Sequence, residues 1–294
     1  MTLEQLRSLQ AIVEGGSLKI AAQQLHRTQP TISVAIKNLE QELGLTLFDR
    51  GQYRSTLTAH GEALYEKAKL VLGQAQSFEH LAKQLTTGEE LEVGIAFTSA
   101  IPVSPILKTI RQCKTEFPRT RLEIVSENGM GPLDVLEEGR ASLIIIPWLK
   151  NIESLESIHF MEVGFVSVIS AQSPLLTEYD VVPKDIIRKH SQVIISGRKS
   201  SKTTYGVIEG GDQWRVNDFL TKKELIVQGM GWGSLPEHLI KGELAQGVLA
   251  PIHVEGEIKK SAVEFRIARL DSEPVGPVGQ RLWQLFQERA ALQE

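Results

Sequence analysis

Hydrophobic residues in the first sixty positions recur at the three- and four-residue spacing of short amphipathic helices. Gly15 and Gly16 separate two such helices, and Ser17 can serve as the N-cap of the second. The apolar stripe of the first helix is formed by Leu3, Leu6, Leu9, Ile12 and Val13. That of the second is formed by Leu18, Ala21, Ala22 and Leu25.

A third helix is predicted to begin after Thr28, its N-cap, and to end at Gly44. Its apolar stripe is formed by Ile32, Ile36, Leu39 and Leu43. The opposite face carries Gln29, Thr31, Ser33, Val34 and Lys37. A tight break at His26 and Arg27 followed by a helix with a polar outer face is typical of a helix-turn-helix, whose second helix enters the DNA major groove. A plain helical bundle is the alternative.

Residues 47–58 predict a hairpin wing in which Arg50 and Arg54 can reach DNA phosphates. A long helix without proline follows from residue 59 to about 87. Large and small residues alternate along it in a heptad pattern, which favours the close approach of a second helix and therefore dimerisation. The alternative is that this seam packs on the chain's own domain. The seam consists of Leu64, Ala68, Val71, Ala75, Phe78, Ala82 and Leu85.

Strands alternate with helices from residue 91 onward, which predicts an α/β domain with a parallel sheet. Strands are predicted at 91–97, 122–125, 142–146, 160–169, 192–196 and 263–268. Helices are predicted at 103–117, 133–138, 216–228 (mainly helical) and 279–291.

Polar residues follow several of these strands, at the edge where α/β sheets bind ligands. Thr98 and Ser99 offer two hydroxyls and, by expectation, free backbone N–H groups at a helix start; capping that helix is the alternative. Asn128 is a ligand candidate or a turn residue in equal measure. Pro147 and Trp148 follow the next strand, and Trp148 suits either a cleft wall or the core.

The basic segment 198–204 follows a later strand and suits an acidic ligand, with a solvated loop as the alternative. Gly229, Gly231 and Gly233 follow a helix rather than an opening strand, so close backbone turns are favoured over a nucleotide-binding loop.

Length and composition set outer limits on this interpretation. The 294 residues suit about two domains, and a net charge of -4 argues against a strongly basic coat protein. Cys113 is the single cysteine, shares a helix face with apolar residues, and is expected in the core of an intracellular protein. No metal-ligand spacing, catalytic motif, targeting segment or membrane span is apparent, so neither a cofactor nor an enzymatic activity is expected.

Residues 1–60 resemble the N-terminal domain of LysR-type transcriptional regulators in the order and spacing of many positions. These are Gly16, Ser17, Leu18, Ala21, Ala22, Leu25, Gln29, Pro30, Ser33, Ile36, Leu39, Glu40, Leu43, Gly44, Leu47, Phe48, Arg50, Leu57, Thr58 and Gly61. The glycine-rich segment before Leu235 and Pro236 extends the resemblance, more weakly, toward the C-terminus.

The resemblance implies an α/β protein made of a winged helix-turn-helix domain (1–58), a linker and dimerisation helix (59–88) and a two-lobed effector-binding domain (89–294). That last domain is similar to type 2 periplasmic binding proteins. Lobe I would hold about 91–162 and 268–294, and lobe II about 163–267. The family's pattern further implies a cytoplasmic homodimer or homotetramer that binds an interrupted palindromic operator in double-stranded DNA and acts on RNA polymerase.

Two sets of contact residues follow from the resemblance and the patterns together. The residues expected at DNA are Ser17, Thr28, Gln29, Pro30, Thr31, Ser33, Val34, Lys37, Arg50 and Arg54. The residues expected at a small, acidic effector are Thr98, Ser99, Asn128, Pro147, Lys202 and Thr203.

The sequence departs from the family pattern at Val34, where Arg, Lys or Gln is frequent, and at Tyr53, where Arg is common. The first sixty residues carry six Lys and Arg against five acidic residues, a net charge of +1. We therefore expect modest phosphate affinity per subunit, a need for two linked subunits and a shallow salt dependence. The remaining alternative is an α/β binding module or enzyme whose N-terminal helices act only in oligomerisation.

Overall fold

The structure is a computed structural model that describes residues 1–49, 56–87, 90–148, 152–196, 206–257, 260–271 and 275–291. It contains two compact units. Unit 1 comprises Met1–Thr86 and Glu137–Arg140, and unit 2 comprises Thr87–Leu136 and Ala141–Glu294. The predicted domain and lobe boundaries stay predictions.

Three short helices open unit 1, as predicted: α1 (Leu3–Gly15), α2 (Leu18–Gln24) and α3 (Gln29–Leu43). The predicted caps are present, because the side chain of Ser17 accepts from Ile20 N and that of Thr28 accepts from Thr31 N. Between α2 and α3, His26 has a φ of 52°, in the left-handed region that few side chains adopt. This conformation keeps the break between the two helices short.

The core of unit 1 joins the predicted apolar stripes of the three helices. Its residues are Leu6, Leu9, Ala11, Ile12, Ala21, Ala22, Ile32, Ile36, Leu39, Leu47, Phe48, Tyr65 and Ala68. Leu43, predicted in the stripe of α3, is instead 37% exposed. Leu43 is the last residue of α3, directly before the C-cap Gly44.

The wing is present at its base, where β1 (Phe48–Asp49) pairs with β2 (Thr56–Leu57) in antiparallel register. Helix α4 (Ala59–Thr87) follows at once. Gly61 allows this close packing, because a Cβ on that residue would lie 2.1 Å from the carbonyl oxygen of Leu47. The wing is therefore fixed against the first turn of α4.

Unit 2 begins with the predicted alternation of strand and helix. Its elements are β3 (Glu92–Thr98), α5 (Val103–Glu116), β4 (Arg121–Glu127), α6 (Gly131–Glu137) and β5 (Leu143–Pro147). Strands β4 and β5 flank β3, and both pair with it in parallel. Cys113 is buried in the core beneath α5, as predicted, and burial raises the pKa of its thiol to about 11.

The rest of unit 2 departs from the prediction between residues 213 and 251. Residues 213–216 form a strand paired with β7, so the helix predicted over 216–228 begins only at Phe219. The elements are β6 (Leu155–Ser170), α7 (Leu175–Glu178), α8 (Lys184–Ile187), β7 (Gln192–Ile195), β8 (Gln213–Val216), α9 (Phe219–Val227), β9 (Trp232–Pro236), α10 (Glu237–Ala245), β10 (Leu249–Pro251), β11 (Lys260–Leu270) and α11 (Pro277–Ala291).

The strands of unit 2 form one sheet in the order β4-β3-β5-β11-β6-β9-β7-β8, with β10 also paired to β6. The long strands β6 and β11 pair with each other from Leu155 to Val166, with a register shift at Phe265 and Arg266. They lie between the half that contains β3, β4 and β5 and the half that contains β7, β8 and β9. Each half is parallel within itself, so the carboxyl ends of its strands share one edge.

Glu90 anchors the last helix to the start of unit 2. Its buried carboxylate accepts from the backbone N–H groups of Val278 at 2.6 Å and Gly279 at 3.0 Å, in the first turn of α11. Burial raises the pKa of Glu90, and the two amide donors oppose that rise. Within the described part of the chain, no helix has the length and apolar content needed to cross a bilayer.

Candidate functional site

Helix α3 presents an exposed polar face whose opposite side is anchored in the core of unit 1. Ile32, Ile36 and Leu39 are buried and fix the rotation of the helix. The predicted DNA-contacting residues on α3 and at its cap are all exposed; they are Thr28, Gln29, Pro30, Thr31, Ser33, Val34 and Lys37. A helix held in this way can place short donors and acceptors against base edges.

Polar contacts at both ends of α3 hold this surface in place. At the start, the hydroxyls of Thr28 and Thr31 are 2.8 Å apart. Near the end, a Glu40 carboxylate oxygen accepts from the N–H groups of Leu47 at 2.8 Å and Phe48 at 3.3 Å, which ties the helix to the wing. The helix and the base of the wing therefore form one rigid surface.

Two arginines of unit 1 form ion pairs with acidic side chains. Arg7 pairs with Glu79 at 3.5 Å, and Arg27 pairs with Glu4 at 3.2 Å. Within residues 1–49, Lys37 is the exposed cation on α3 itself. Ser17 is half-buried and caps α2, whereas Arg50 and Arg54 lie outside the described residues.

The heptad seam of α4 divides into two parts. Ala68 is buried in the core of unit 1 and Leu64 packs against that core, so these two residues are already used within their own chain. Val71 is 42% exposed and Phe78 is 73% exposed. Ala75 is half-buried, Ala82 is exposed, and the side chain of Leu85 lies outside the described part of the chain. The surface left for a partner helix is thus shorter than the sequence predicts.

The segment after β3 does not provide the free N–H groups that we expected. The N–H of Ser99 donates to Glu127 O at 2.8 Å, that of Ala100 to Thr98 Oγ1 at 3.4 Å and that of Ile101 to Thr98 O at 3.4 Å. The capping alternative fails as well, because the N-cap of α5 is Pro102. The expected cradle of free amides is wrong, since a tight turn uses these donors before α5 begins.

The hydroxyl of Ser99 joins two other polar groups at the carboxyl ends of the strands. It donates to Asn128 Oδ1 at 2.5 Å. Asn128 Nδ2 donates in turn to the backbone carbonyl of Asn217, which directly follows β8. Asn128 is buried, and Thr98 beside it is only 1% exposed. One half of the sheet therefore contributes two side chains to this polar cluster, and the other half contributes a backbone carbonyl.

Pro147 and the neighbouring Trp148 are not part of this cluster. Pro147 ends β5, and Trp148 packs against the core below α6 with the guanidinium of Arg266 5.2 Å from its ring. Trp148 N donates to Glu264 O at 2.8 Å. Lys202 and Thr203 lie outside the described residues.

Two residues of interest were missed by the sequence analysis. Asn217 contributes a backbone carbonyl, which has no sequence signal. Lys222 is buried in α9, and burial lowers its pKa to about 7. Lys222 shares the helical spacing of the apolar residues Phe219 and Ile226, and this spacing could have predicted that its side chain is buried.

Two glycines of segment 229–233 allow close backbone packing, and Gly229 adopts a positive φ of 72°. A Cβ on Gly231 would lie 2.4 Å from Ser191 O, and one on Gly233 would lie 2.7 Å from Val193 O. These contacts allow the chain at β9 to approach β7, and the positive φ of Gly229 agrees with the predicted close backbone turn. Among the described residues, no group of three or more His, Cys, Asp or Glu side chains is arranged to hold a metal ion.

Comparison with known protein families gives two matches that together cover most of the chain. Residues 3–62 match the family described as "Bacterial regulatory helix-turn-helix protein, lysR family". Residues 86–291 match the "LysR substrate binding domain".

Individual relatives and solved structures agree with these matches. The chain is 28% identical over 239 residues to the transcriptional regulator AceR of Acinetobacter baumannii, covering 81% of this chain and 80% of the relative. It is 30% identical over 251 residues to the transcriptional activator AllS of Klebsiella pneumoniae, covering 84% and 93%. The fold is similar to that of CbnR in complex with its target DNA, with a TM-score of 0.56, 18% identity and coverage of 99% and 100%.

Proposed function

This chain belongs to the lysR family of bacterial helix-turn-helix regulators, and from that premise we propose how its surfaces carry out regulation. Helix α3 of each of two subunits binds one half of an interrupted palindromic operator. A small anionic effector binds near Ser99 and Asn128 and alters that activity. The chain is a DNA-binding transcription regulator with an effector-binding domain; its relatives are regulators rather than enzymes, which removes the enzyme alternative.

The exposed polar face of α3 is the observation that carries the DNA assignment. Ser33, Thr31 and Gln29 offer hydroxyl and amide groups that can pair with base edges, while Val34 offers a methyl contact. Lys37 supplies a charge for phosphate. CbnR, which shares this fold, was solved in complex with its target DNA, and this supports DNA binding by the present chain.

Two subunits are needed because the charge of one is small. Residues 1–60 have a net charge of +1, and ion pairs occupy Arg7 and Arg27. Linking two half-site contacts raises the effective affinity without any new contact. The exposed Phe78 and Val71 on α4 support pairing through this helix, as a dimer or within a tetramer.

The effector assignment rests on the polar groups at the carboxyl ends of the strands, where open α/β sheets bind ligands. Ser99 and Asn128 are the members of the predicted set that contact each other. Thr98 acts behind them, because its hydroxyl accepts from Ala100 N. Lys202 and Thr203 in the basic segment 198–204 are proposed to neutralise an anionic effector. We further propose action in the cytoplasm and on RNA polymerase.

Operator selection with the full chain tests the DNA proposal. A random DNA library is enriched on the wild type, and the selected site is measured with Ser33→Ala, Lys37→Ala and, as a control on α5, Lys108→Ala. Ser33→Ala should cost about 1–3 kcal/mol and relax specificity at one position. Lys37→Ala should weaken all sequences alike and lower the salt slope by about one. No enrichment of any sequence would refute the proposal, and a slope equivalent to about ten phosphate contacts would refute the weak-charge argument.

A thermal-shift screen of small metabolites tests the effector site. A ligand that binds the folded chain raises its melting temperature. Stabilisation by an anionic compound should fall in Ser99→Ala and persist in Ser104→Ala, which removes an exposed hydroxyl on α5. An equal response in Ser99→Ala and wild type would show that the effector binds elsewhere.

A further inference from the structure

The two end strands of the sheet in unit 2 meet through a hydrogen bond. Strands β4 and β8 are at opposite ends of an eight-strand order. Seven spacings of about 4.8 Å would separate them by roughly 34 Å in a flat sheet. Asn128 directly follows β4 and Asn217 directly follows β8, yet the Asn128 amide donates to the Asn217 carbonyl. The sheet is therefore bent along β6 and β11 so that its two halves face each other.

A single side chain bridges the opening between these halves. Asn128 is 9% exposed, and both ends of its amide are used. Oδ1 accepts from the hydroxyl of Ser99 in its own half, and Nδ2 donates across the opening to Asn217. The Ser99 bond orients the amide so that its donor faces the other half.

We propose that Asn128 is a latch that keeps the two halves of unit 2 closed in the absence of ligand and that the effector must displace it. This inference rests on the proposed function, because it concerns the same effector site. Asn128 follows β4, an outer strand in the sheet order, whereas the long strands β11 and β6 are central and join the two halves. Asn217 also adjoins Asp218, the N-cap of α9, so the acceptor of the latch lies next to the start of that helix.

The strength of the latch suits a reversible switch. One intramolecular hydrogen bond changes an equilibrium by about two- to tenfold after competition with water. The closed form is therefore favoured over an open form, but the two forms can still interconvert. A carboxylate that accepts from Asn128 Nδ2 forms a charge-assisted bond, which is about twice as strong as the bond to a neutral carbonyl. An anionic ligand can therefore replace Asn217 as the acceptor.

Electron-spin distance measurements on the full chain test the latch without any ligand or DNA. Spin labels are placed by Gln112→Cys on α5 and Lys241→Cys on α10, two exposed positions in opposite halves. Cys113 is buried with a thiol pKa of about 11, so it should not react with the label. The labelled chain is mixed with a large excess of unlabelled chain so that distances within one subunit are measured.

Three variants make the result specific. Asn128→Ala removes both bonds, and Asn128→Asp keeps the acceptor for Ser99 but loses the donor to Asn217. Both should add a second, longer distance population. Asn217→Ala is the matched control, because the latch uses the backbone carbonyl of that residue, and it should behave as the wild type.

Identical distance distributions for wild type, Asn128→Ala and Asn128→Asp would overturn the latch. A longer population in Asn217→Ala to the same extent would also overturn it, since the opening would then not depend on the Asn128 amide. Neither result would affect the effector assignment, which is tested separately by the metabolite thermal-shift screen on the wild-type chain. A screen in which no anionic compound stabilises the wild type, together with longer distances in both Asn128 variants, would overturn the effector assignment and leave the latch between the two halves standing.

Discussion

Replacing Lys222 with methionine should stabilise unit 2 and remove a pH dependence from its unfolding. Lys222 is 5% exposed, and its amine would lie 3.4 Å from a Cβ placed on Gly233. Among the described residues, the amine of Lys222 forms no ion pair and no side-chain hydrogen bond. Burial of the ammonium is therefore uncompensated, and the pKa of Lys222 falls from 10.5 to about 7. Methionine is similar in length and needs no solvation.

The size and sign of the effect follow from the two pKa values. The unfolded chain holds the proton up to about pH 10.5, whereas the folded chain releases it above about pH 7. Stability is therefore lost as the pH falls, at about 1.4 kcal/mol per pH unit. The loss ends once both states are protonated, below about pH 7. The difference of about 3.5 between the pKa values corresponds to about 5 kcal/mol in total.

Urea unfolding of wild type and Lys222→Met between about pH 6 and 10 measures this effect. The four tryptophans, Trp148, Trp214, Trp232 and Trp283, all belong to unit 2, so their fluorescence follows the unfolding of that unit. Chain concentrations are kept equal because self-association adds to apparent stability.

Lys223→Met is the matched control. Lys223 is next in sequence, but its amine lies 2.5 Å from a carboxylate oxygen of Glu243. Its removal should not stabilise the chain. The difference in unfolding free energy between wild type and Lys222→Met should shrink as the pH rises from about 7 to 10. A difference that is constant with pH, or a less stable Lys222→Met, would refute the burial argument.

Three further predictions concern other parts of the chain. Glu90→Ala should lower the free energy of unfolding by about 1–3 kcal/mol, because two buried amides of α11 lose their acceptor, and Glu90→Gln should restore part of it. Gly231→Ala should destabilise unit 2 by about 1–3 kcal/mol, since its Cβ would be 2.4 Å from Ser191 O, whereas Gly242→Ala on α10 has open space and should be neutral or stabilising; urea unfolding separates the two. Val34→Lys should steepen the salt slope of operator binding by about one, and an unchanged slope would show that this position does not face phosphate.

The DNA-binding unit was predictable because its local signals and its packing agree. The apolar stripes at Leu9, Ile32 and Leu39 become the core, and the cap residues Ser17 and Thr28 act as caps. Helices α1, α2 and α3 are short and contact one another, so the local sequence pattern was sufficient to predict them.

The second half of unit 2 was harder to predict because tertiary contacts override local preference. Strand β9 contains glycine and proline, which are poor strand formers, yet the approach to β7 requires Gly233 in this strand and Gly231 just before it. The predicted amide cradle at Ser99 failed because Ser99 N donates to Glu127 O and the next two N–H groups donate to Thr98. The contact between Asn128 and Asn217 joins residues 89 positions apart through a backbone carbonyl, which leaves no trace in a sequence pattern.

The pairing of β11 with β5 and β6 has a consequence for synthesis on the ribosome. Arg269 on β11 donates to Glu156 on β6, a residue made 113 positions earlier. Strand β5 likewise has no antiparallel neighbour until β11 emerges. A chain synthesised from its N-terminus can therefore complete its helix-turn-helix early, whereas the first strands of unit 2 lack their partner strands until the second half of the sheet has been made. For that interval an operator-binding surface would exist before the effector could control it.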